Sequence, residues 1–190
     1  MLDFDSIWSY VFRRKESEDS QALRVLGRAL VFDDLSRSDL KKIYRIIHKR
    51  VYKNGEIVFT AGDPGVGMYV VWEGNVAVVV TDVDSGSEQV VAHLGAGQSF
   101  GDVALFSNSQ RTATIKAMSP TILLGFCRPD LMNFINSNPI LGNKILIRLL
   151  TLAGSRLDIT NQQLSEAKKK LTEQKALLAS HGRAKEESGV

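Results

Sequence analysis

The stretch GEIVFTAGDPGVGMYVVWEGNVAVVV, residues 55 to 80, decides the fold class. Short β-branched and aromatic runs alternate in it with glycine-bearing turns, the pattern of strands rather than of an amphipathic helix. Within it MYVVWEGNVAVVV, residues 68 to 80, reads as a hairpin joined across Glu73, Gly74 and Asn75, with Gly74 supplying a positive φ. Working outward, further turns fall at Asn54 with Gly55, at Asp82 through Gly86 and at Gly95 through Gly97. A last pair of strands is expected near 111–117 and 121–126. Turns spaced this closely predict an antiparallel sandwich or barrel.

Helical periodicity flanks the strands. On the N-terminal side Ser36 reads as an N-cap with Asp39 as its capping-box acid and Leu35 and Leu40 as a staple, opening a helix through Ile43, Tyr44 and Ile47 that should end near Lys49. Before it, Leu23, Leu26, Leu30 and Val31 form another helical pattern, preceded by a linker at 16–20. Phe4, Ile7, Trp8, Val11 and Phe12 make one apolar face of a short helix, to be covered by its own domain, by a protein partner or, as a weaker option, by a membrane surface. After the strands, Pro129 suits the first turn of a helix through Leu131, Phe134 and Ile135. Helix then dominates to the end, with Gly154 as the place for a bend.

Leu150, Leu157, Leu164, Leu171 and Leu178 recur at intervals of seven. Taken as position a of a heptad, they leave Ala153, Thr160, Ala167 and Gln174 at position d, a narrow and rather polar pairing seam that predicts a homodimer. The resulting fold class is α+β, mainly β: an antiparallel β-roll, or jelly-roll sandwich, flanked by N-terminal helices and a long C-terminal helix. Four parts are expected: an N-terminal amphipathic segment at 1–19, the β-roll domain at 20–140, a C-terminal coiled-coil helix at 141–180 and a disordered tail at 181–190.

Composition excludes little and assigns no partner. Lys plus Arg exceed Asp plus Glu by only 24 to 21, too small an excess to predict nucleic-acid binding. Cys127 is the single cysteine and lies in the apolar run ILLGFC, where a small buried hydrophobe is expected rather than a nucleophile or ligand. His48, His93 and His181 are scattered, without a carboxylate or second histidine at ligand spacing, so no metal site is expected. No apolar run approaches a membrane span, and Asp3 and Asp5 stand where a signal peptide would be basic, which favours a cytoplasmic protein.

The segment SFGDVALFSNSQRTAT, residues 99 to 114, can carry ligand chemistry. It starts as a strand, turns at Gly101 and continues as one short helical turn, Val103 to Phe106, whose leading amides suit an anion. Arg111 follows ten residues after Gly101, where its planar fork can complete a ring around a phosphate. Asp102 can accept hydrogen bonds from sugar hydroxyls. Together these groups suit a ribose phosphate. The glycines from Gly62 to Gly67 lack the Lys and Ser or Thr of a nucleoside-triphosphate loop and read as a turn.

From about Leu26 to Arg156 the chain resembles the cyclic-nucleotide-binding domain family, which includes the catabolite activator protein, regulatory subunits of cyclic-nucleotide-dependent kinases and cyclic-nucleotide-gated channels. The resemblance rests on residues 55 to 78 and on the cassette at 99 to 114. It implies that Asp102, where the family usually has glutamate, holds the ribose 2′-hydroxyl, and that Arg111 pairs with the cyclic phosphate. It further implies that the amides of Val103 and Ala104 approach the phosphate and that Gly101 allows the backbone close to the sugar. Phe100 would close the pocket floor, Ala113 would pack beneath the ligand, and Thr112 would stand where cGMP-preferring members often have threonine. Gln110 occupies a position where many eukaryotic members have proline.

The expected function is a non-enzymatic sensor without a cofactor, in which cAMP or cGMP repositions the helices after residue 129 and alters a dimer or partner contact. The residues after Arg156 are too few and too coiled-coil-like for a winged helix, so no DNA-binding domain is expected. The rival reading is a β-roll that has lost its ligand and serves as an interaction or assembly module. An enzyme is disfavoured because no acid, base and nucleophile cluster in the expected pocket.

Overall fold

A computed structural model describes residues 18–82, 85–105 and 109–187, with side-chain surroundings through residue 175. The apolar stripe from Phe4 to Phe12 lies outside the described residues. Two compact units divide between Leu149 and Leu150.

The first unit opens with helix α1, residues 18–26, so the linker expected at 16–20 is helical from residue 18. Ala22, Leu23 and Leu26 bury its inner face. The chain then leaves the helix at Gly27 and continues in tight turns, with Arg28, Ala29, Phe32 and Leu35 each donating to the carbonyl three residues earlier. Leu30 therefore lies outside the helix in which its spacing places it. Helix α2, Arg37–Tyr44, begins as the sequence predicts: the Ser36 hydroxyl accepts the Asp39 N–H at 3.2 Å and donates to the Asp39 carboxylate at 2.8 Å. The stapling residues Leu35 and Leu40 are both buried.

Strands follow as β1 (His48–Tyr52), β2 (Ile57–Phe59), β3 (Gly67–Glu73), β4 (Val76–Thr81), β5 (Glu88–Leu94), β6 (Ser99–Phe100), β7 (Thr114–Ala117) and β8 (Thr121–Cys127). They form two four-stranded antiparallel sheets, ordered β1-β8-β3-β6 and β2-β7-β4-β5. This is the predicted β-roll, with two corrections of detail. Helix α2 stops before Arg45 rather than near Lys49, because pairing with β8 draws residues 48–52 into extended backbone. Residues 68–80 are not a hairpin either. β3 pairs with β8 and β6, while β4 pairs with β5 and β7, so the chain changes sheets at Glu73–Asn75. Gly74 does adopt φ 81°, and a Cβ there would lie 2.4 Å from the Pro120 carbonyl oxygen. That crowding marks a corner, where a second sheet-changing segment passes, rather than a free turn.

The core lies between the sheets, where Val71, Val76, Phe100, Ile115 and Leu123 cluster with Tyr52, Val58, Phe59, Tyr69, Val78 and Leu94 packed against them. Strand alternation turns Met68, Val70, Leu124 and Phe126 to the opposite face of the first sheet, and these too are essentially fully buried. The turns after α1 cover part of this second face: the Phe126 ring lies 5.1 Å from that of Phe32. Helix α3, Arg128–Ser137, carries Pro129 in its first turn as expected and buries Leu131 and Phe134. Cys127, the expected buried hydrophobe, is only half-buried, because β8 ends there and hands the chain to α3.

Helix α4, Pro139–Glu187, starts with Leu141, Ile145 and Leu149 buried at four-residue spacing. A Cβ on Gly142 would meet Ile135 at 2.8 Å, so α3 and the start of α4 approach closely. Arg148 donates to the Leu30 carbonyl at 2.8 Å and pairs with Asp33, tying α4 to the turns after α1. The second unit is the remainder of this helix. It stays helical through Gly154, and its backbone remains helical over 181–187, where the sequence reading places a disordered tail. Loss of an apolar face removes a reason to pack, not the backbone hydrogen bonds of a helix. Leu150, Leu157, Leu164 and Leu171 are each more than half exposed.

Candidate functional site

Two segments build the cassette. The first comes off β6, held by the pairing of Tyr69 with Phe100 and Val70 with Ser99. Gly101 then adopts φ 76°, which turns the chain into a 3₁₀ turn at Asp102–Leu105. Ala104 and Leu105 are buried and anchor this turn, Asp102 is also buried, and Val103 points to solvent. The Ala104 N–H donates to the Gly101 carbonyl at 3.3 Å. The second segment is the glycine loop before β3. Its Gly62 N–H donates to the Arg111 carbonyl at 2.8 Å and the Arg111 N–H donates to the Asp63 carbonyl at 2.9 Å, with Pro64 and Gln110 bridged between them. A Cβ on Gly65 would sit 2.6 Å from that of Ala104. The loop is thus a backbone support pressed against the cassette, consistent with its reading as a turn.

Arg111 is the centre of the arrangement. Its side chain is only 7% exposed. It reaches back to Gly101, where Nη1 donates to the carbonyl at 3.2 Å, and it lies over the Phe59 ring at 4.0 Å from the centroid. Burial pulls the guanidinium pKa below its ordinary value, while Tyr69 and Asp63 act in the opposite sense; an arginine so displaced still remains a cation. Among the described residues its Nε, which is buried, has no hydrogen-bond partner. A buried orphan donor costs about 1–3 kcal/mol, and more on a charged group. An anionic oxygen reaching that nitrogen would remove the penalty.

Beneath the guanidinium is an aromatic layer of which the sequence reading named Phe100 but missed Phe59 and Tyr69. Phe59 lies 5.9 Å from Phe100 and 6.2 Å from Tyr69, and Tyr69 stacks on Phe100 at 5.5 Å. Phe100 belongs to the inter-sheet core, so its contact with the site passes through Phe59. The available signal for Phe59 is the alternation of the short strand around it. Thr112 is exposed and Ala113 half-buried, in the bend between Arg111 and β7. The fold therefore brings Gly101 and Arg111 into contact and sets Asp102, Val103 and Ala104 on the adjoining turn. An open groove lined by Asp39, Lys42, Asn138, Pro139, Ile140, Leu141 and Lys144 shares no residue with this cassette.

Histidine spacing along the chain gave no carboxylate neighbour, but the fold supplies one. His48 Nε2 lies 2.7 Å from Asp130 Oδ2, across 82 residues of sequence, because β1 is paired beside the strand that runs into α3. Among the described residues no helix is long and apolar enough to cross a membrane.

Residues 49–138 match the family model described as cyclic nucleotide-binding domain. The cyclic AMP receptor protein of Thermus thermophilus is 30% identical over 132 residues, which cover 68% of this chain and 61% of that protein. The cyclic nucleotide-gated channel alpha-4 of Mus musculus is 30% identical over 172 residues, covering 83% of this chain and 29% of the channel. The chain thus spans less than two thirds of either relative. Among solved structures, the N-terminal domain of a transcriptional regulator from Streptomyces coelicolor A3(2) superposes with a TM-score of 0.64 at 30% identity, covering 74% of this chain and 94% of that one.

Proposed function

This chain belongs to the cyclic nucleotide-binding domain family, and from that premise we propose that the cassette at 99–114 binds cAMP or cGMP as the input of a non-enzymatic sensor. The observation that carries the reading is the Arg111 guanidinium, buried beside Gly101 with its Nε unpartnered among the described residues. In this reading Arg111 holds the cyclic phosphate, the Val103 and Ala104 amides approach it, and Asp102 accepts from the ribose hydroxyl. Ala113 packs beneath the ligand and Thr112 contacts the base. The name of the Thermus thermophilus relative supports cAMP as the first ligand to try. Titration calorimetry with cAMP, cGMP and cyclic dinucleotides is expected to give heat for at least one cyclic mononucleotide. At a hundredfold excess over Kd the ligand stabilises the chain by about 2.7 kcal/mol, visible as a raised melting temperature. No heat and no shift at millimolar ligand would end the sensor reading.

One observation favours the rival reading of a ligand-free interaction module. The Gly101 carbonyl already accepts from both Arg111 Nη1 and the Ala104 N–H, so the turn is partly closed on itself. The same titration separates the two.

The output assigned to the sensor is movement of α3 and α4, which follow β8 directly, and with it a change in dimer or partner contact. The exposed leucines at 150, 157, 164 and 171 supply the pairing face, and Leu178 continues their spacing. Changing Leu164 and Leu171 together to Lys is expected to convert a dimer into a monomer in sedimentation velocity, because like charges would meet along the seam. An unchanged mass would remove the seam from the proposal.

A further inference from the structure

We propose that His48, Cys127 and Asp130 form a binding site for a divalent transition-metal ion of the zinc class, separate from the nucleotide cassette. One ligand atom from each residue lies within 4.8 Å of the others. Tetrahedral zinc with bonds of about 2.0–2.3 Å holds its ligand atoms about 3.3–3.6 Å apart. The His48 to Asp130 contact at 2.7 Å would therefore open slightly, and the thiolate, within 4.8 Å of both, would close by at most about 1.3 Å, changes within the reach of side-chain torsions.

The backbones beneath the three groups are fixed by separate elements. His48 begins β1, which is registered on β8 opposite Gly125. Cys127 ends β8 opposite Gly67, where a Cβ would lie 2.0 Å from the Phe126 carbonyl oxygen, so the strands there are locked at close approach. Asp130 lies in the first turn of α3, three residues after Cys127. Imidazole and thiolate suit zinc, and the carboxylate supplies a third, harder ligand. His48 and Asp130 are roughly half exposed and Cys127 is half-buried, which leaves an entry path and room for water as the fourth ligand.

Asp130 has an ordinary explanation, since an acid in the first turn complements the helix dipole and can pair with a histidine. Cys127 does not. It occupies the N-cap of α3, yet its side chain makes no capping hydrogen bond and is not deep enough to act as core. A soft ligand at that position beside an imidazole is what the metal reading explains and the ion pair alone leaves over.

The full chain, stripped with chelator, is titrated with Zn(II) against a chromophoric competitor, and in parallel with Co(II) followed by absorbance. One equivalent of metal per chain is expected, with a near-ultraviolet thiolate-to-cobalt charge-transfer band. Cys127→Ser and His48→Gln, both changes at partly exposed positions, should each weaken binding at least ~100-fold, more than the ~10–100-fold that outer-shell partners cost. Circular dichroism confirms that the variants are folded. Absence of the cobalt band, or zinc binding that either variant leaves unchanged, overturns the proposal; the second result would place the metal elsewhere on the chain.

Discussion

Arg111→Met is expected to bind cyclic nucleotide at least ~100-fold more weakly than the parent chain, while the unliganded variant melts at the parent's temperature or above it. The first half follows from what the guanidinium offers an anion. A charge-assisted hydrogen bond is worth about 1.5–3 kcal/mol, and about 1.4 kcal/mol is tenfold in affinity. Loss of two such bonds to a phosphate therefore exceeds two decades. The second half follows from what Arg111 does without a ligand. Its cation is taken out of water with Nε unpartnered, against one hydrogen bond to Gly101 and a contact with the Phe59 ring. Replacing such a buried ion by a flexible apolar side chain of similar length is often neutral or stabilising. Calorimetry and thermal melting on the same samples read both halves. Binding within threefold of the parent would remove Arg111 as the phosphate ligand. A melt lowered by many degrees would make Arg111 a structural residue and favour the ligand-free module.

That division of labour explains which features were legible in sequence. Local chemistry could be read directly: the Ser36 cap with Asp39, Pro129 in the first turn of α3, the left-handed Gly74, the turn at Gly101 and the approach of Arg111 to it. What failed was pairing between distant segments. The apolar run at 68–80 carries the same alternation whether its halves pair with each other or with β8 and β7, so nothing within it reveals that it crosses between sheets. The helical spacing through Ile47 likewise yields where His48–Tyr52 meets β8, since a sheet partner outweighs a weak local preference. Phe59 under Arg111 and His48 beside Asp130 are juxtapositions of the same sort, made by the closure of the roll.

Gly101→Ala is the complementary test, because it disturbs the turn without removing the cation. At φ 76° an L-residue costs about 1–2 kcal/mol. The added Cβ would stand 2.6 Å from Arg111 Nη1 and 3.2 Å from the Gly67 carbonyl oxygen, an overpacking that typically costs a further 1–3 kcal/mol, roughly. The variant should therefore melt about 5–15 °C below the parent, given about 2–4 °C per kcal/mol for a chain of this size, and its displaced guanidinium should lose most nucleotide affinity. Gly154→Ala is the control: a Cβ there meets nothing within 4 Å, so the helix should gain about 1 kcal/mol. The double variant carrying Gly101→Ala and Arg111→Met decides the cause of the damage. Methionine takes away the charged group nearest the new methyl, so the closer contact is relieved, leaving the strain of the left-handed backbone and the approach to the Gly67 carbonyl oxygen. The two changes should then destabilise the apo chain by about 1 kcal/mol less than their separate effects predict, a coupling of the size found for residues in contact. Strict additivity in thermal or urea melts would show that Gly101 and Arg111 do not share one site, and with that the cassette would lose its central contact.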